Sequence, residues 1–196
     1  MHGHIAMSTD FGRVKIPSMK HSIKKWKEIS RKKVFEKFGR KIEKVVYKMP
    51  DGKASDFYIK TEGIPVCVLA FTKEKEVILA KQYRPGPDEI LSELPGGKME
   101  VGETPKKAAE RELLEETGFQ GKVKLVAMAY DCAYSTAIRY CFVATDCKKV
   151  SEPKNSANEF TEVELMPLLK FRTLLRSGKM TDIEVGYLGL DRLNLL

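Results

Sequence analysis

The sequence lacks any apolar run long enough to cross a membrane. Its longest runs, such as VCVLAF and GYLGL, are far shorter than the roughly 20 residues that a membrane-spanning helix needs. It also lacks the charged and then apolar start that is typical of a secretion signal. These absences predict a soluble, cytoplasmic protein.

Cysteine motifs are missing as well. The four cysteines, Cys67, Cys132, Cys141 and Cys147, show no CxxC spacing and no paired histidine. This pattern argues against a zinc site and indicates buried free thiols in a reducing compartment. Only Cys132 and Cys141 are placed so that they could face each other across a hairpin.

The surplus of positive charge is confined to one segment. Residues 20–48 carry 12 basic and 3 acidic residues, although the whole chain has a formal net charge of only +8. Such a segment can be a solvated face, or it can attract an anionic partner such as nucleic acid. We favour the solvated face and keep nucleic acid as the alternative.

The chain is predicted to contain one main domain behind a small N-terminal layer. Residues 1–20 are expected to be a disordered or artificially added lead-in. Residues 21–62 contain the strand patterns KKVFE, KIEKVVYKM and SDFYIK, which predict an antiparallel β-meander whose second turn uses Asp51-Gly52. Residues 63–196 are expected to form the main domain.

In the main domain, strand patterns surround one strongly marked helix. The strand patterns are IPVCVLAF, EVILAKQY, VKLVAMAY, IRYCFVAT and TEVELMP. The helix is predicted from Pro105 to Thr117, with Thr104 as the N-cap and Gly118 as the stop. The closing helices and their caps are residues 168–176 with Gly178, and residues 183–193 with Asp182. This order favours an α/β fold with a mixed sheet and helices on its faces.

The marked helix concentrates negative charge. Within two turns it carries Glu110, Glu112, Glu115 and Glu116. At about 100° per residue the last three share one face, and like charges at this spacing weaken a helix by about 0.2–0.5 kcal/mol per pair. No lysine follows at a spacing that would neutralise them. A ligand of opposite charge is therefore expected on this face, where the small Ala108 and Ala109 would leave room for it.

Carboxylates clustered in this way are typical ligands of hard cations. Mg²⁺ or Mn²⁺ binds such oxygens, keeps several waters and bridges them to substrate phosphates. The loop Pro95-Gly96-Gly97 lets the backbone approach closely because glycine lacks a Cβ atom. Glu103 can add a ligand, and the planar fork of Arg111 can orient the acids. We expect two or more ions at this site, with Mg²⁺ favoured and Mn²⁺ as a substitute.

The same residues carry a family resemblance. The Nudix signature is Gly, five residues, Glu, seven residues, then Arg-Glu-aliphatic-any-Glu-Glu-any-Gly-aliphatic. Here it reads Gly97, Glu103 and RELLEETGF from Arg111 to Phe119, with an aromatic residue in the last apolar position. The sequence thus resembles the Nudix hydrolases. The resemblance implies a Nudix-type α/β/α sandwich that hydrolyses a nucleoside diphosphate linked to another group.

The resemblance also implies roles for individual residues. Glu112 and Glu116 are the expected principal metal ligands, and the Gly96 carbonyl is an expected backbone ligand. Glu115 is expected to be a further ligand or an outer-sphere partner. Glu115 and Arg111 are both expected to be catalytic residues.

A longer segment is similar to one branch of this family. QYRPGPDEILSELPGGKMEVGE resembles the ADP-ribose pyrophosphatases and nucleoside diphosphate sugar hydrolases, and the similarity covers most of the chain from about Lys32. In that branch the residue matching Arg84 is expected to contact substrate phosphate, and the residue matching Glu93 is expected near the metal-bound pyrophosphate. The meander is expected to pair two subunits, so the resemblance predicts a homodimer.

One departure from that branch bears on the substrate. ADP-ribose enzymes commonly carry a proline some way beyond the signature, whereas no proline occurs between Pro105 and Pro153. Tyr134, Ser135 and Arg139 lie in this region and are candidate contacts for a sugar or a base. We therefore predict a hydrolase of nucleoside diphosphate sugars that includes ADP-ribose among its substrates and releases a nucleoside monophosphate and a sugar phosphate.

The water-activating base is expected on the acidic loop after the sheet, as is common in the family. Glu159 is the best match and Glu162 the second. A general base must come within about 2.6–3.2 Å of the proton that it takes, directly or through water, and a loop can do so on closure. An ordinary solvated acid is the alternative for either residue.

Two other functions remain open. A Nudix hydrolase of capped RNA or dinucleoside polyphosphates would use the basic segment as a track for phosphates. A nucleotide sensor without turnover is the other possibility. Such a protein is expected to have a degraded signature, and this signature is intact.

Overall fold

The predicted meander forms a sheet of its own in the computed structural model, which describes residues 23–154 and 160–196. Its strands are β1 (Lys27–Lys37), β2 (Arg40–Lys48) and β3 (Ala54–Lys60), paired antiparallel in the order β1-β2-β3. The turn between β2 and β3 is the predicted Asp-Gly turn. Gly52 adopts a φ of 86°, which glycine tolerates without steric cost.

The first sheet leaves β1 as an exposed edge. All 11 residues of β1 are exposed, including Val34 and Phe35. The ring of Trp26, the residue before β1, forms a cluster with the rings of Tyr47 in β2 and Phe57 in β3, with centroids 5.3–6.1 Å apart. The sheet is therefore stabilised around β2 and β3, whereas β1 has apolar side chains in contact with solvent.

The second sheet is larger and mixed. Its strands are β4 (Pro65–Thr72), β5 (Glu76–Arg84), β6 (Glu89–Glu93), β7 (Gly96–Lys98), β8 (Phe119–Tyr130), β9 (Ile138–Lys149) and β10 (Glu162–Pro167). The main order is β10-β5-β4-β9-β8, with β6 added to β5 and β7 added to β4. Only the pairing of β4 with β9 is parallel.

Helices cover both faces of the second sheet. They are α1 (Pro105–Thr117), α2 (Leu168–Ser177) and α3 (Ile183–Arg192). Alternate residues of β4 point to opposite faces. Val68 packs with α1, whereas its neighbour Leu69 packs with α2 and α3. The predicted α/β/α sandwich is thus confirmed. None of the helices in the described part of the chain combines the length and hydropathy that a bilayer crossing requires.

The ends of the helices follow the sequence signals with one exception. α1 has the predicted bounds: Thr104 accepts a hydrogen bond from the backbone N–H of Lys107, and Gly118 ends the helix at a φ of 73°. Gly178 ends α2 at a φ of 72°. Asp182 occupies the N-cap position of α3, but its φ is 55° and its side chain does not cap the helix.

Three expectations about the elements and cysteines are wrong. The glycines of the predicted loop Pro95-Gly96-Gly97 belong to β7, and the residues of β6, for which no strand was predicted, also form a strand, because each completes the hydrogen bonding of a neighbouring strand. β8 begins at Phe119, directly after α1. All four cysteines are free thiols, but Cys132 is exposed, and Cys141 lies opposite Ala127 rather than opposite Cys132.

Candidate active site

The carboxylate face of α1 lies against the glycine loop. Oε2 of Glu116 accepts a hydrogen bond of 2.8 Å from the backbone N–H of Gly96. A Cβ atom on Gly97 would lie 2.2 Å from Oε1 of Glu112. The absence of a side chain at Gly97 therefore allows the backbone to approach Glu112.

Arg111 holds the other acids of the signature. Its Nε and Nη2 bind the carboxylate of Glu103 at 3.0 and 3.1 Å. Its Nη1 donates to Glu112 at 2.9 Å and to Glu115 at 3.1 Å. One cation thus gathers three carboxylates and offsets the repulsion among them.

The contact between Arg111 and Glu103 also fixes their charges. The hydrogen bond from Arg111 lowers the pKa of Glu103, and the same bond raises the pKa of Arg111. Nη2 of Arg111 additionally donates to the backbone carbonyl of Lys98 at 3.0 Å. The charged network therefore ties α1 to the strand that carries the two glycines.

The donor set suits a hard divalent cation. The side chains gathered here offer carboxylate oxygen, with no thiol or imidazole among them, and this chemistry fits Mg²⁺ or Mn²⁺. Within residues 23–154 and 160–196, no group of three or more His, Cys, Asp or Glu side chains is arranged to hold an ion unaided. Such cations usually keep waters and take oxygens from substrate phosphates, so a partial protein ligand set matches their chemistry.

The alanines of α1 do not line this site. Ala108 and Ala109 are fully buried, and both pack in the core with Val68 and Phe142. The expectation that they leave room for a ligand is therefore wrong. Their small side chains let the first turns of α1 pack closely on the sheet, and the carboxylate face begins one turn later.

Arg84 and Glu93 form an ion pair where β5 meets β6. Nε of Arg84 lies 2.6 Å from Oε2 of Glu93, and the side chains are 40% and 1% exposed, respectively. The second oxygen of Glu93 accepts a 2.6 Å hydrogen bond from the hydroxyl of Thr181. Glu93 is thus a buried support, and Arg84 is the member of the pair that solvent reaches.

Two of the candidates after β8 contact the first sheet or their own loop. The ring of Tyr134 stacks on Phe57 with a centroid distance of 6.4 Å. Oγ of Ser135 accepts a hydrogen bond of 3.1 Å from the backbone N–H of Ala137. The backbone of this loop also pairs with Lys60, so it connects the two sheets.

Arg139, the third candidate, is surrounded by acids. It pairs with Asp131 at 3.0 Å, with Asp182 at 2.9 Å and with Glu184. Burial raises the pKa of Asp182; burial alone would lower the pKa of Arg139, but the facing acids Asp182 and Glu184 raise it. Arg139, Asp131 and Asp182 line a cavity of about 180 Å³ together with the glycines at 96–97.

The segment that carries the candidate bases is attached to the end of α1. The backbone N–H of Lys154 donates to the carbonyl of Glu115 at 2.7 Å, and the hydroxyl of Thr161 donates to the carbonyl of Glu116 at 3.2 Å. Both attachments are at the carboxylate-bearing turn. Glu159, the first candidate base, lies outside the described residues.

Glu162, the second candidate base, opens β10 opposite Lys81 of β5. It follows Thr161, so its backbone lies one residue from a direct contact with α1. It borders a cavity of about 460 Å³ whose exposed apolar lining comes from Tyr83, Ile90 and Phe160.

No motif or spacing in the sequence points to two further residues at this site. Thr181 lies in the linker between α2 and α3 and is recognised only through its bond to Glu93. Lys98 occupies an unspecified position of the signature, yet its Nζ donates to the carbonyl of Gly39 at 2.7 Å and to Glu62 at 2.9 Å. It therefore joins the glycine strand to the turn of the first sheet.

The fold and the gathered signature residues define a protein with an α/β/α sandwich and a carboxylate site on its central helix. A family model described as "NUDIX domain" matches residues 61–184. The chain therefore belongs to the Nudix family, and it is a Nudix hydrolase. Nudix hydrolases generally need divalent metal ions.

Individual proteins show the same relationship. The chain is 32% identical over 166 residues to an ADP-ribose pyrophosphatase of Bacillus subtilis, covering 82% of this chain and 89% of the relative. It is 30% identical to a methanol dehydrogenase activator of Bacillus methanolicus, covering 73% and 81% of the two chains. A solved structure described as "Crystal structure of ADP compounds hydrolase" matches with a TM-score of 0.71 at 17% identity, covering 90% of this chain and 100% of the other.

Proposed function

We propose that this chain is a pyrophosphohydrolase that cleaves ADP-ribose and nucleoside diphosphate sugars to a nucleoside monophosphate and a sugar phosphate. The observation that carries the proposal is the convergence of the signature on one place, where Gly96 contacts Glu116 and Arg111 gathers the remaining acids. The substrate assignment is supported by the relative from Bacillus subtilis, which is named an ADP-ribose pyrophosphatase.

The metal site is proposed to hold two or more Mg²⁺ ions, with Mn²⁺ as a substitute. The proposed ligands are the Gly96 carbonyl and the carboxylates of Glu112, Glu115 and Glu116. Bound ions polarise phosphoryl oxygens and lower the pKa of a coordinated water. The contribution of Arg111 is to hold Glu112 and Glu115 in place, since it donates to both.

The substrate diphosphate is proposed to bind between this site and Arg84. Nε of Arg84 is committed to Glu93, which leaves its two outer nitrogens for phosphate oxygens. A carboxylate from the segment attached to α1 then takes the proton of the attacking water. Glu159 is the first candidate for this base and Glu162 the second, because both lie close in sequence to the contact between Thr161 and Glu116.

The sugar or base is proposed to lie near Tyr134, Ser135 and Arg139. Arg139 is already paired with three acids, so it is better placed to orient those acids than to bind phosphate. Carboxylates such as Asp131 and Asp182 accept hydrogen bonds from hydroxyl groups, which suits a sugar.

The first sheet, within residues 21–62, is proposed to be a layer that pairs two subunits, with residues 63–196 as the catalytic domain and 1–20 as a lead-in. Its support is the exposed edge strand β1, which presents apolar side chains at Val34 and Phe35. A free strand edge with an apolar surface is a typical place for a second chain to bind.

A substrate panel tests the proposed activity. ADP-ribose, a sugar nucleotide, a dinucleoside polyphosphate and capped RNA are each incubated with Mg²⁺, and the products are identified. We expect AMP and ribose phosphate from ADP-ribose. Preferred cleavage of capped RNA or of the polyphosphate would replace the proposed substrate, and binding without turnover would indicate a sensor.

A matched pair of variants in α1 controls this experiment. Glu116→Gln is expected to lower kcat by at least about 100-fold, because it removes a charged ligand. Glu110→Gln makes the same change in the same helix. Within the described residues the carboxylate of Glu110 forms an ion pair only with Lys106, at 3.6 Å, so this variant is expected to keep wild-type turnover. Equal losses in both variants would indicate damage to the helix.

A further inference from the structure

Thr181 makes a contact that links the C-terminal helices to the proposed phosphate site. Its hydroxyl donates a 2.6 Å hydrogen bond to Oε1 of Glu93, 88 positions earlier in the chain. Oε2 of Glu93 receives Nε of Arg84 at 2.6 Å. The three side chains therefore form one continuous chain of hydrogen bonds from the α2–α3 linker to the end of β5.

Glu93 depends on both partners because it is buried. Its side chain is 1% exposed, so solvent does not satisfy its oxygens. A buried carboxylate oxygen without a hydrogen bond is strongly unfavourable. Loss of the Thr181 hydroxyl would therefore leave Oε1 in need of another donor, and the nearest cation already in contact with Glu93 is Arg84.

The contact between Arg84 and Glu93 has an unusual form. Arginine and carboxylate commonly pair through two parallel hydrogen bonds. Here a single bond is formed, and Thr181 occupies the oxygen that a second bond would use. Among the described residues, Arg84 makes no other side-chain hydrogen bond, so Nη1 and Nη2 remain available to a ligand.

Thr181 is itself held in place from both sides. Met180 is buried in the core formed with α2 and α3. Asp182 adopts a left-handed φ of 55° and does not cap α3, but its carboxylate pairs with Arg139 at 2.9 Å. A non-glycine residue in this conformation that also forgoes a cap is unfavourable locally. The linker is thus fixed by the side-chain contacts to the site and by the carbonyl of Asp182, which accepts a 3.0 Å hydrogen bond from the backbone N–H of Val185 in α3.

We propose that Thr181 is a positioning residue. By occupying Oε1 of Glu93 it limits Arg84 to a single hydrogen bond with Glu93, and this keeps the outer nitrogens of Arg84 directed at the substrate diphosphate. The role toward substrate rests on the proposed function, whereas the hydrogen-bonded arrangement of Thr181, Glu93 and Arg84 does not. Without the hydroxyl, Arg84 turns toward Glu93, donates a hydrogen bond to each of its two carboxylate oxygens and withdraws from the diphosphate.

Kinetics on ADP-ribose with saturating Mg²⁺ test the role toward substrate. Thr181→Val removes the hydroxyl at nearly constant volume and is expected to raise KM by about tenfold, with a smaller change in kcat. Thr181→Ser restores the hydroxyl and is expected to recover most of the loss. The matched control is Thr173→Val, because the hydroxyl of Thr173 donates to the carbonyl of Leu169 in its own helix and, within the described residues, to no other group.

A double-variant comparison separates positioning from general structural damage. In an Arg84→Ala background, Thr181→Val is expected to have no further effect on KM, because the group that it positions is gone. A wild-type KM in Thr181→Val would overturn the proposal. So would an equal loss with and without Arg84.

The arginine Nε–H signals in a ¹⁵N–¹H spectrum test the geometry without any substrate. The signal of Arg84 is identified by its disappearance in Arg84→Lys. We expect this signal to move in Thr181→Val and to return close to its wild-type position in Thr181→Ser. An unmoved signal in Thr181→Val contradicts the inference. If the wild-type protein hydrolyses nothing on the panel while the signal moves as expected, the proposed function fails and the positioning contact stands.

Discussion

The backbone N–H of Gly96 donates a 2.8 Å hydrogen bond to Oε2 of Glu116, although 20 positions separate the two residues. Gly96 is placed for this contact because β7 pairs with β4, where Gly96 lies opposite Cys67. A Cβ atom at this position would come within 2.5 Å of the carbonyl of Val66. Glycine is therefore needed for the pairing of β7 with β4, and this pairing brings the backbone N–H of Gly96 to the carboxylate face of α1.

Gly97→Ala should impair the site and spare the fold. The added Cβ would lie 2.2 Å from Oε1 of Glu112, which is the end of a flexible side chain, so the carboxylate moves and the backbone does not. We expect kcat to fall by at least about 100-fold, with a melting temperature within a few degrees of wild type. Gly86→Ala is the control, because nothing lies within 4 Å of its added Cβ. Wild-type turnover in Gly97→Ala would remove Glu112 from the proposed ligand set.

Mg²⁺ should stabilise the folded protein before any substrate is present. Ions that bind only the folded state raise its stability by about 2.7 kcal/mol at 100 times the Kd. The thermal shift with Mg²⁺ is measured against NaCl at equal ionic strength. We expect Glu112→Gln and Glu116→Gln to lose the shift and Glu110→Gln to keep it, since Glu110 pairs only with Lys106 in the described part of the chain. A shift that survives in all three variants would place the ions elsewhere.

Local sequence signals predict α1 almost completely. Thr104, Pro105 and Gly118 each have a side chain or a conformational preference that suits one end of a helix, and the helix has the predicted bounds. The acid spacing on α1 likewise predicts a common carboxylate face, because the period of a helix is fixed. These inferences succeed because they depend only on residues within a few positions of one another.

The parts that the sequence does not predict depend on long-range contacts. β6 and β7 have only five and three residues. Both form because β4 and β5 pair with each other over only two residue pairs in the described structure, which leaves the rest of those strand edges for β6 and β7. Asp182 has the residue type of an N-cap, yet Arg139 competes successfully for its carboxylate. In the described part of the chain, the side-chain hydrogen bond of Thr181 goes to Glu93 and not to a residue near it in sequence. No spacing rule relates position 181 to position 93, since the whole sheet must form before the two meet.

The ion pairs of Glu62, whose carboxylate is buried, should make stability depend on pH. Its side chain is 4% exposed and lies 2.9 Å from both Lys98 and Arg40. Burial alone would raise the pKa of Glu62, but these two cations lower it below its ordinary value of 4.5. A lowered folded-state pKa contributes stability above pH 4.5 that is lost as the pH falls through the folded-state pKa.

The comparison of wild type with Glu62→Gln measures this contribution. We expect the variant to be about 1–3 kcal/mol less stable near neutral pH, and the difference to shrink as urea melts are repeated at decreasing pH below 4.5. Glu36→Gln is the control on the same sheet. Its pair with Lys33 is exposed, so little change is expected at any pH. A difference for Glu62→Gln that stays constant with pH would show that its charge is not the cause.

The exposed strand β1 should pair two copies of the chain. It is an edge strand with 11 exposed residues, and its free backbone groups and apolar Phe35 favour a second strand over solvent. Sedimentation should therefore give a mass near twice the 22.2 kDa of one chain. Phe35→Glu should shift the protein to monomers, because the charge would be buried at the interface. Leu169→Glu makes the same kind of change at an exposed residue of α2 and should leave the dimer intact. A monomeric wild type, or a dimer unaffected by Phe35→Glu, would show that this edge does not join the subunits.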